Sequence, residues 1–153
     1  MPEFPPLLRV CSLLNRHHAQ YVVVGARAAI LHGLDRTTED VDILIPEDSA
    51  NHARIIAALS EMEDHAAAEL TPQDFVENIV VKIADEVEVD VSTRAWKVTY
   101  AEAAPKAERV VIEGVEIVYA DLPTLIASKE TYRDQDRVDL VRLRELLRRK
   151  TEG

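Results

Sequence analysis

Two aspartates, Asp40 and Asp42, lie one residue apart in the largely apolar segment 40–46. On a β-strand, residues at positions i and i+2 point to the same face, so both carboxylates project together while the neighbouring valine and isoleucine side chains point the other way. Isolated charge is costly in apolar surroundings, and a cation between the two carboxylates would offset that cost. Because hard oxygen ligands without nearby cysteine or histidine suit Mg²⁺ or Mn²⁺ better than zinc, the pair predicts a divalent metal site.

A third acid follows the same pattern in the segment 87–91. Its valines occupy one face of a predicted strand, and Glu88 and Asp90 occupy the other, so both acids are candidates and we favour Asp90. Three acids on neighbouring strands would hold two divalent ions roughly 3.5–4 Å apart, which neutralise a triphosphate, lower the pKa of an attacking hydroxyl and stabilise the leaving pyrophosphate. In this interpretation Asp90 is the candidate base, and Asp40 and Asp42 bridge the metals.

A glycine turn before the acid strand predicts a phosphate cradle. Residues 21–24 predict a short buried strand, Gly25 lets the chain turn, and residues 26–32 have a helix-forming composition. This order directs the unpaired backbone N–H groups of the helix toward the carboxyl end of the strand. Gly25, Ala26 and Arg27 are therefore candidate nucleotide-binding residues, the first two through backbone donors and Arg27 through its guanidinium.

Helices are predicted on both sides of these segments. Apolar residues at helical spacing predict an opening helix that ends near His17, and Asp48 or Ser49 caps a helix that runs to about Met62. Asp121 before Pro123 has the form of a capped helix start, and two helices are expected over 122–149. The helix after Asp48 is predicted to pack through Ala50, Ala53, Ile56, Ala57 and Leu59.

Two hairpins complete the predicted sheet. Strands 79–83 and 87–91 flank a turn at Asp85-Glu86, and strands 110–113 and 115–119 flank Glu113-Gly114. The segment 94–107 predicts a helix followed by a loop around Pro105, and Trp96 in it is expected to pack in the core or at its rim.

Composition limits the class of protein. With 153 residues, 47% hydrophobic and 30% charged, the chain predicts one globular domain over 1–153, with a core at about 21–119 and C-terminal helices at about 121–150. The net charge of −10 argues against indiscriminate nucleic-acid binding. No apolar run is long enough to cross a bilayer and the amino terminus has no basic segment leading into an apolar one, which predicts a cytoplasmic protein without membrane association.

Three segments together resemble a known superfamily. Val24-Gly25-Ala26, Asp40-Val41-Asp42-Ile43 and Val89-Asp90-Val91 resemble the nucleotidyltransferases whose core is similar to that of DNA polymerase beta, which use a Gly-Gly or Gly-Ser turn, an acid-x-acid strand and a third acid on a later strand. The segment 36–42 is similar to the Arg-x-Thr-x-Asp-x-Asp signature of minimal bacterial members, including abortive-infection-type toxins of toxin–antitoxin pairs. Residues 121–139 are similar to their helical Asp-Leu … Lys … Arg … Asp … Asp segment.

The resemblance implies an α+β fold, a small mixed β-sheet flanked by helices with a C-terminal helical pair. It implies that Asp40, Asp42 and Asp90 hold Mg²⁺ or Mn²⁺, and that Lys129 reaches the triphosphate. Arg36 is expected to touch a phosphate or to brace the acid strand. In one position the chain departs from the family pattern, because Ala26 stands where a second glycine or a serine is usual.

Three functions are compatible with these residues. The favoured one is an Mg²⁺-dependent nucleotidyltransferase that moves a nucleoside monophosphate from an NTP to a hydroxyl acceptor on RNA, such as tRNA, or on protein, as the toxin of a toxin–antitoxin pair with a cognate antitoxin. The second is a non-catalytic nucleotide-binding or antitoxin-like module of the same fold, which Ala26 suggests. The third is a small-molecule nucleotidyltransferase of the aminoglycoside type. The identity of the NTP and the pairing of two copies into a homodimer are left open by the sequence.

Overall fold

The computed structural model of the protein describes residues 4–131 and 133–152, with the side chain of Gln135 outside the description. Two short 3₁₀ segments, Ala66–Glu69 and Ala104–Lys106, lie between the main elements. The helices are α1 Pro5–Arg16, α2 Gly25–Leu31, α3 Ser49–Leu59, α4 Pro72–Glu77, α5 Tyr100–Ala103, α6 Leu122–Lys129 and α7 Asp134–Glu152. The strands are β1 Val22–Val24, β2 Val41–Leu44, β3 Val80–Ala84, β4 Glu88–Ser92, β5 Arg94–Ala95, β6 Val98–Thr99, β7 Glu108–Ile112 and β8 Val115–Tyr119.

Six strands form one mixed sheet in the order β3-β4-β2-β1-β8-β7, and β5 and β6 form a separate ribbon. Strand β2 runs antiparallel to β1 and parallel to β4, while β1 runs parallel to β8. The parallel pairing of β2 with β4 matters most, because it sets the two acid-bearing strands side by side in the same direction. The predicted α+β fold with a small mixed sheet and flanking helices is confirmed.

The two predicted hairpins are also confirmed. Strands β3 and β4 pair antiparallel around the predicted turn, and β7 and β8 pair antiparallel across Glu113-Gly114, both of which have a positive φ. Two residues with a positive φ are the signature of the tight turns that match the twist of paired strands. The C-terminal helical pair is present as α6 and α7, which pack against each other.

The predicted helix caps hold the helices that flank the sheet. The Asp48 side chain accepts a hydrogen bond from the Ala50 backbone N–H at 3.0 Å, and Asp121 accepts one from Thr124 N–H at 3.0 Å. Each satisfies one of the backbone donors that a helix start leaves unpaired. Helix α1 packs against α3 and β8, and α2 packs against β1, β2 and α6.

The inner face predicted for α3 is only partly right. Leu59 is buried and Ile56 is half-buried, but Ala50, Ala53 and Ala57 are exposed. Asn51 and His52 are buried instead, because they bond to the backbone: Asn51 bonds to Gln20 N–H and C=O, and His52 Nε2 lies 3.1 Å from the Pro46 carbonyl. The helix is therefore rotated from the face that alanine spacing predicts, since these hydrogen bonds fix its orientation. It also ends at Leu59 rather than Met62, although Met62 is buried.

The helix-then-loop prediction for 94–107 misses the start of the segment. The segment begins with the short β5–β6 ribbon and only then forms α5 and a 3₁₀ turn at Ala104–Lys106. Within the described residues, no helix has both the length and the apolar character needed to cross a membrane.

Candidate functional site

Asp42 and Asp90 are register partners on the parallel strands β2 and β4. Burial, the negative charge of Asp90, a hydrogen bond to Asp90 and the charge of Asp40 together raise the pKa of Asp42 to about 7. Two facing acids form the centre of the candidate site.

Asp40 and Glu88 form a second acid pair beside the first. Asp40 immediately precedes β2 and Glu88 begins β4, each next to a residue of the register pair Val41 and Val89. A side-chain hydrogen bond to Asp40 is the main cause that raises the pKa of Glu88. Asp90 lies opposite Asp42 and Glu88 lies against Asp40, so the structure gives the two candidate third acids different partners.

Lys82 is a site residue that the sequence analysis did not identify. It lies opposite Asp90 in the antiparallel β3–β4 pair, and its Nζ is 3.3 Å from both Asp90 carboxylate oxygens. A hydrogen bond to Asp90 is the main cause that raises the pKa of Lys82. The predicted turn at Asp85-Glu86 could have identified Lys82. Lys82 and Asp90 are equally far from Glu86 along the hairpin, and such residues lie opposite each other on the paired strands.

Gly25 fits against Asp42 with no room for a side chain. It adopts the left-handed conformation at φ +66, and a Cβ added there would lie 2.3 Å from Asp42 Oδ2. Gly25 thus permits both the sharp turn from β1 into α2 and the close approach of backbone to the acid pair. Ala26 follows it as a half-buried residue.

The Arg27 guanidinium is directed at the backbone of the acid segment. It is 5% exposed, and it donates to the carbonyl oxygens of Asp40 at 3.2 Å and Glu39 at 3.3 Å. These bonds hold the start of β2 against α2. Phosphate binding by Arg27 stays a prediction, and the contacts observed here are bracing contacts.

Lys129, at the end of α6, joins the site to the C-terminal helix. Its Nζ lies 3.2 Å from Asp136 Oδ1 and 3.2 Å from Asp139 Oδ2, and its positive charge lowers the pKa of Asp42. Burial acts to raise the pKa of Asp136, but hydrogen bonds from Arg133, Thr131 and Lys129 outweigh it and lower that pKa to about 2. Lys129 is therefore held by two carboxyl groups on α7 while its charge reaches Asp42.

Arg36 lies in the same ionic network on its far side. Its Nη1 donates to Asp139 Oδ2 at 2.9 Å, which joins the loop before β2 to α7. The structure thus connects Arg36 to the carboxylate that also binds Lys129. Neither of the two roles expected for Arg36, a phosphate contact or a brace on the acid strand itself, is seen in this bond.

An open cleft of about 420 Å³ connects the glycine turn, the acid strand and α6. Gly25, Asp42 and Lys129 all line it. Trp96, which the sequence predicted only as a packing residue, is 41% exposed at this cleft. The cleft is lined by Val24, Gly25, Asp42, Val80, Ser92, Arg94, Ala95, Trp96, Ser128, Lys129, Thr131 and Arg133.

The donor chemistry of the acid pairs fits a divalent cation. No group of three or more histidine, cysteine, aspartate or glutamate side chains within 4–131 and 133–152 has the arrangement of a metal site. The acids are instead in pairs, and burial together with the charges of Asp90 and Asp40 raises the pKa of Asp42, a cost that a doubly charged, oxygen-preferring ion would offset. Asp40, Asp42 and Asp90 remain the predicted ligands.

Comparison with known families agrees with the resemblance in the motifs. A family model described as the nucleotidyl transferase AbiEii toxin of the type IV toxin–antitoxin system matches residues 12–150. Comparison with curated proteins gives no match. The matched range contains the glycine turn, both acid strands and nearly all of the C-terminal helical pair. The chain therefore belongs to the AbiEii nucleotidyl transferase toxin family.

Proposed function

We propose that the chain transfers a nucleoside monophosphate from an NTP to a hydroxyl acceptor on RNA or protein, in a reaction that requires Mg²⁺ or Mn²⁺. The observation that carries this proposal is the facing pair of Asp42 and Asp90 beside a cleft that Lys129 also lines. Negative charge on the sheet and positive charge on α6 are the two requirements for holding a metal-bound triphosphate between them.

Asp40, Asp42 and Asp90 are the residues that would hold the metal. Bound there, the ion supplies neutralisation of the triphosphate charge and a lower pKa for the attacking hydroxyl. Asp90 accepts the proton of that hydroxyl in the proposed mechanism, and the Lys82 Nζ lies 3.3 Å from both of its oxygens. Asp42 lies close against Gly25 and lines the cleft.

Lys129 and the start of α2 are the proposed binding groups for the phosphates. Lys129 is anchored by Asp136 and Asp139, which keeps its Nζ in place between α7 and the acid pair. In the proposal, Lys129 binds the triphosphate as a point charge, and the backbone N–H groups at Gly25 and Ala26 donate to its oxygens. Binding in this position orients the α-phosphate for attack by the acceptor hydroxyl. Pyrophosphate leaves as the bond to the acceptor oxygen forms.

The proposal has consequences for partners. A toxin of a type IV pair has a cognate antitoxin, which we expect for this chain on the basis of its family. An RNA acceptor such as tRNA and a protein acceptor share the attacking hydroxyl, so the chemistry of the site admits both. A cytoplasmic location follows for the proposed reaction, because NTPs and RNA are present there.

Incubation with each labelled NTP, Mg²⁺ and total tRNA or candidate protein acceptors tests the proposal. We expect label on an acceptor, and a loss of at least about 100-fold in Asp42→Asn, because that isosteric change removes a metal ligand and keeps the volume. Glu69→Gln, an exposed acid on the 3₁₀ segment, is the matched control and should label normally. Equal labelling by Asp42→Asn and the unaltered protein contradicts the proposed role of the acid pair.

A non-catalytic nucleotide-binding module is the second candidate function. Two observations favour it: Ala26 lacks the hydroxyl that a serine would offer a phosphate, and Lys82 already gives Asp90 a cationic partner. Calorimetry separates the two candidates. Tight NTP binding without turnover supports the module, and any turnover that Asp42→Asn abolishes excludes it.

A further inference from the structure

Trp96 occupies an unusual position for a large side chain. Strands β5 and β6 pair Ala95 with Val98, which leaves Trp96 and Lys97 as a two-residue hairpin loop. Such loops favour asparagine and glycine because the central residues adopt a positive φ, and Trp96 has φ +58. A bulky residue in this conformation costs about 1–3 kcal/mol, so the requirements of the turn do not explain the tryptophan.

The position of Trp96 relative to the candidate site offers an explanation. The ring is 41% exposed and lines the same cleft as Gly25, Asp42 and Lys129. Val80 and Ala95 give the adjoining wall an apolar surface, and Val80 is itself 47% exposed. An aromatic face and apolar contacts thus lie in one cleft with the groups that are proposed to bind metal and phosphate.

Three basic side chains lie beside the Trp96 ring or line the same cleft. Lys97 Nζ lies 6.0 Å from the Trp96 ring centroid, and the exposed Arg94 lines the cleft on the same ribbon. Arg133 lines the cleft from the α7 side. In a chain of net charge −10, a tryptophan flanked by basic side chains is complementary to a flat, apolar group that carries negative charge nearby.

We propose that Trp96 is a stacking platform for an unpaired nucleobase whose phosphates face Lys129 and the acid pair. The assignment rests on the proposed function, which supplies a nucleotide to this cleft. Stacking on an aromatic ring contributes about 1–3 kcal/mol per base and tolerates every base, because each has a π-face. The platform thus positions a nucleotide and gives little discrimination among bases by itself.

Two nucleotides of the reaction have the required chemistry. One is the incoming NTP, and the other is the terminal unpaired nucleotide of an RNA acceptor. Both present a nucleobase next to phosphate, so both fit an aromatic face that is flanked by cations. Separate titrations with an NTP analogue and with a single-stranded oligoribonucleotide therefore distinguish the two.

Intrinsic fluorescence tests the platform directly, because Trp96 is the one tryptophan of the chain. The intact protein is titrated with a nonhydrolysable ATP analogue and Mg²⁺, with a short single-stranded oligoribonucleotide, and with inorganic triphosphate and Mg²⁺ as the base-free probe. We expect quenching by the ATP analogue if the NTP base stacks, or by the oligonucleotide if the acceptor base stacks. Inorganic triphosphate should leave the emission unchanged.

Variants measured by calorimetry provide the second readout. Trp96→Ala should weaken binding of the quenching ligand by about 5- to 150-fold, the equivalent of one stacked base, while Trp96→Phe should stay within about 5-fold of the unaltered protein. Val111→Ala removes another exposed apolar side chain, on β7, and should bind normally. If Trp96→Ala does not fold, the fluorescence of the unaltered protein and the binding by Trp96→Phe still decide the question.

The outcomes for the platform and for the proposed function are separable. Absence of quenching by both nucleotide probes, in a protein that labels an acceptor normally, overturns the platform and leaves the transferase intact. Quenching equal to that caused by inorganic triphosphate also overturns it. Base-dependent quenching in a protein that transfers nothing supports the platform and refutes the transferase.

Discussion

Asp42 and Asp90 face each other across two parallel strands, and the negative charge of Asp90 contributes, after burial, to the raised pKa of Asp42. This relationship exists only in the folded chain, because 48 positions separate the two residues in the sequence. Folding therefore creates a repulsion that the unfolded chain does not have. The stability of the metal-free protein should record it.

The first prediction is that the contribution of Asp42 to the free energy of unfolding of the metal-free protein falls as pH rises from about 4 to above 7. The pKa of Asp42 is 3.8 ordinarily and about 7 in the folded protein. Between these values the folded state binds more protons than the unfolded state, so the contribution of Asp42 is present at low pH and is lost as pH rises through about 7. The loss is on the order of 1–3 kcal/mol, measurable by urea unfolding with a chelator present.

Two comparisons isolate this effect from other titrating groups. Asp42→Asn should give a flatter pH dependence than the unaltered protein, because the amide does not titrate. Mg²⁺ added above pH 7 should raise the stability of the unaltered protein and have less effect on Asp42→Asn. Parallel pH curves for the two proteins would contradict the prediction.

The second prediction concerns the glycine turn. Gly25→Ala should disrupt the site, because its Cβ would lie 2.3 Å from Asp42 Oδ2. Gly114→Ala is the matched control: its φ of +80 is also left-handed, but nothing lies within 4 Å of the added Cβ. Both variants should lose about 1 kcal/mol to backbone strain, and Gly25→Ala should lose about 1–2 kcal/mol more through the clash.

Mn²⁺ affinity separates the strain from the clash. Gly25→Ala should bind Mn²⁺ about 10-fold or more weakly than Gly114→Ala, since moving Asp42 removes a ligand from its position. The measurement is a titration followed by electron paramagnetic resonance under conditions in which both variants are folded. Equal Mn²⁺ affinities would show that the backbone approach at Gly25 is unrelated to the metal.

The local patterns of the sequence predicted those parts of the fold that local chemistry determines. The acid-x-acid strand, the glycine turn and the two hairpins follow from alternation and turn residues, which act over a few positions. The rotation of α3 was missed because Asn51 is drawn inward by bonds to the backbone of Gln20, which lies 31 positions away in the sequence. Polar residues buried by long-range partners leave no periodic signal along the chain.

The candidate site shows the same division. Alternation placed Asp40 with Asp42 and placed Glu88 with Asp90, but only the β2–β4 register shows that Asp42 faces Asp90. That register depends on a parallel pairing, which no turn in the sequence specifies. Trp96 was unpredictable as a cleft residue, because a tryptophan in a two-residue hairpin loop contradicts the usual turn chemistry.

The third prediction distinguishes the two candidate third acids. Asp90→Asn should lower the transfer rate by at least about 100-fold, because Asp90 faces Asp42 and is the proposed base. Glu88→Gln should stay within about 10-fold, because Glu88 is bonded to Asp40 and lies one step farther along the strand. Single-turnover rates and Mn²⁺ affinities of both variants test this. A larger loss in Glu88→Gln than in Asp90→Asn would transfer the role to Glu88.

The last prediction separates the two cations that meet at Asp139. Lys129→Met and Arg36→Met should each lower the free energy of unfolding by about 1–4 kcal/mol, because each leaves a buried carboxylate with one cation fewer. Only Lys129→Met should also raise the KM for NTP, because Lys129 lines the cleft and its charge reaches Asp42. The measurement is KM at a temperature at which both variants are folded, with Lys129→Arg as the charge-conserving control. A rise in KM for Arg36→Met equal to that for Lys129→Met would assign a phosphate contact to Arg36 and refute a purely structural role for its bond to Asp139.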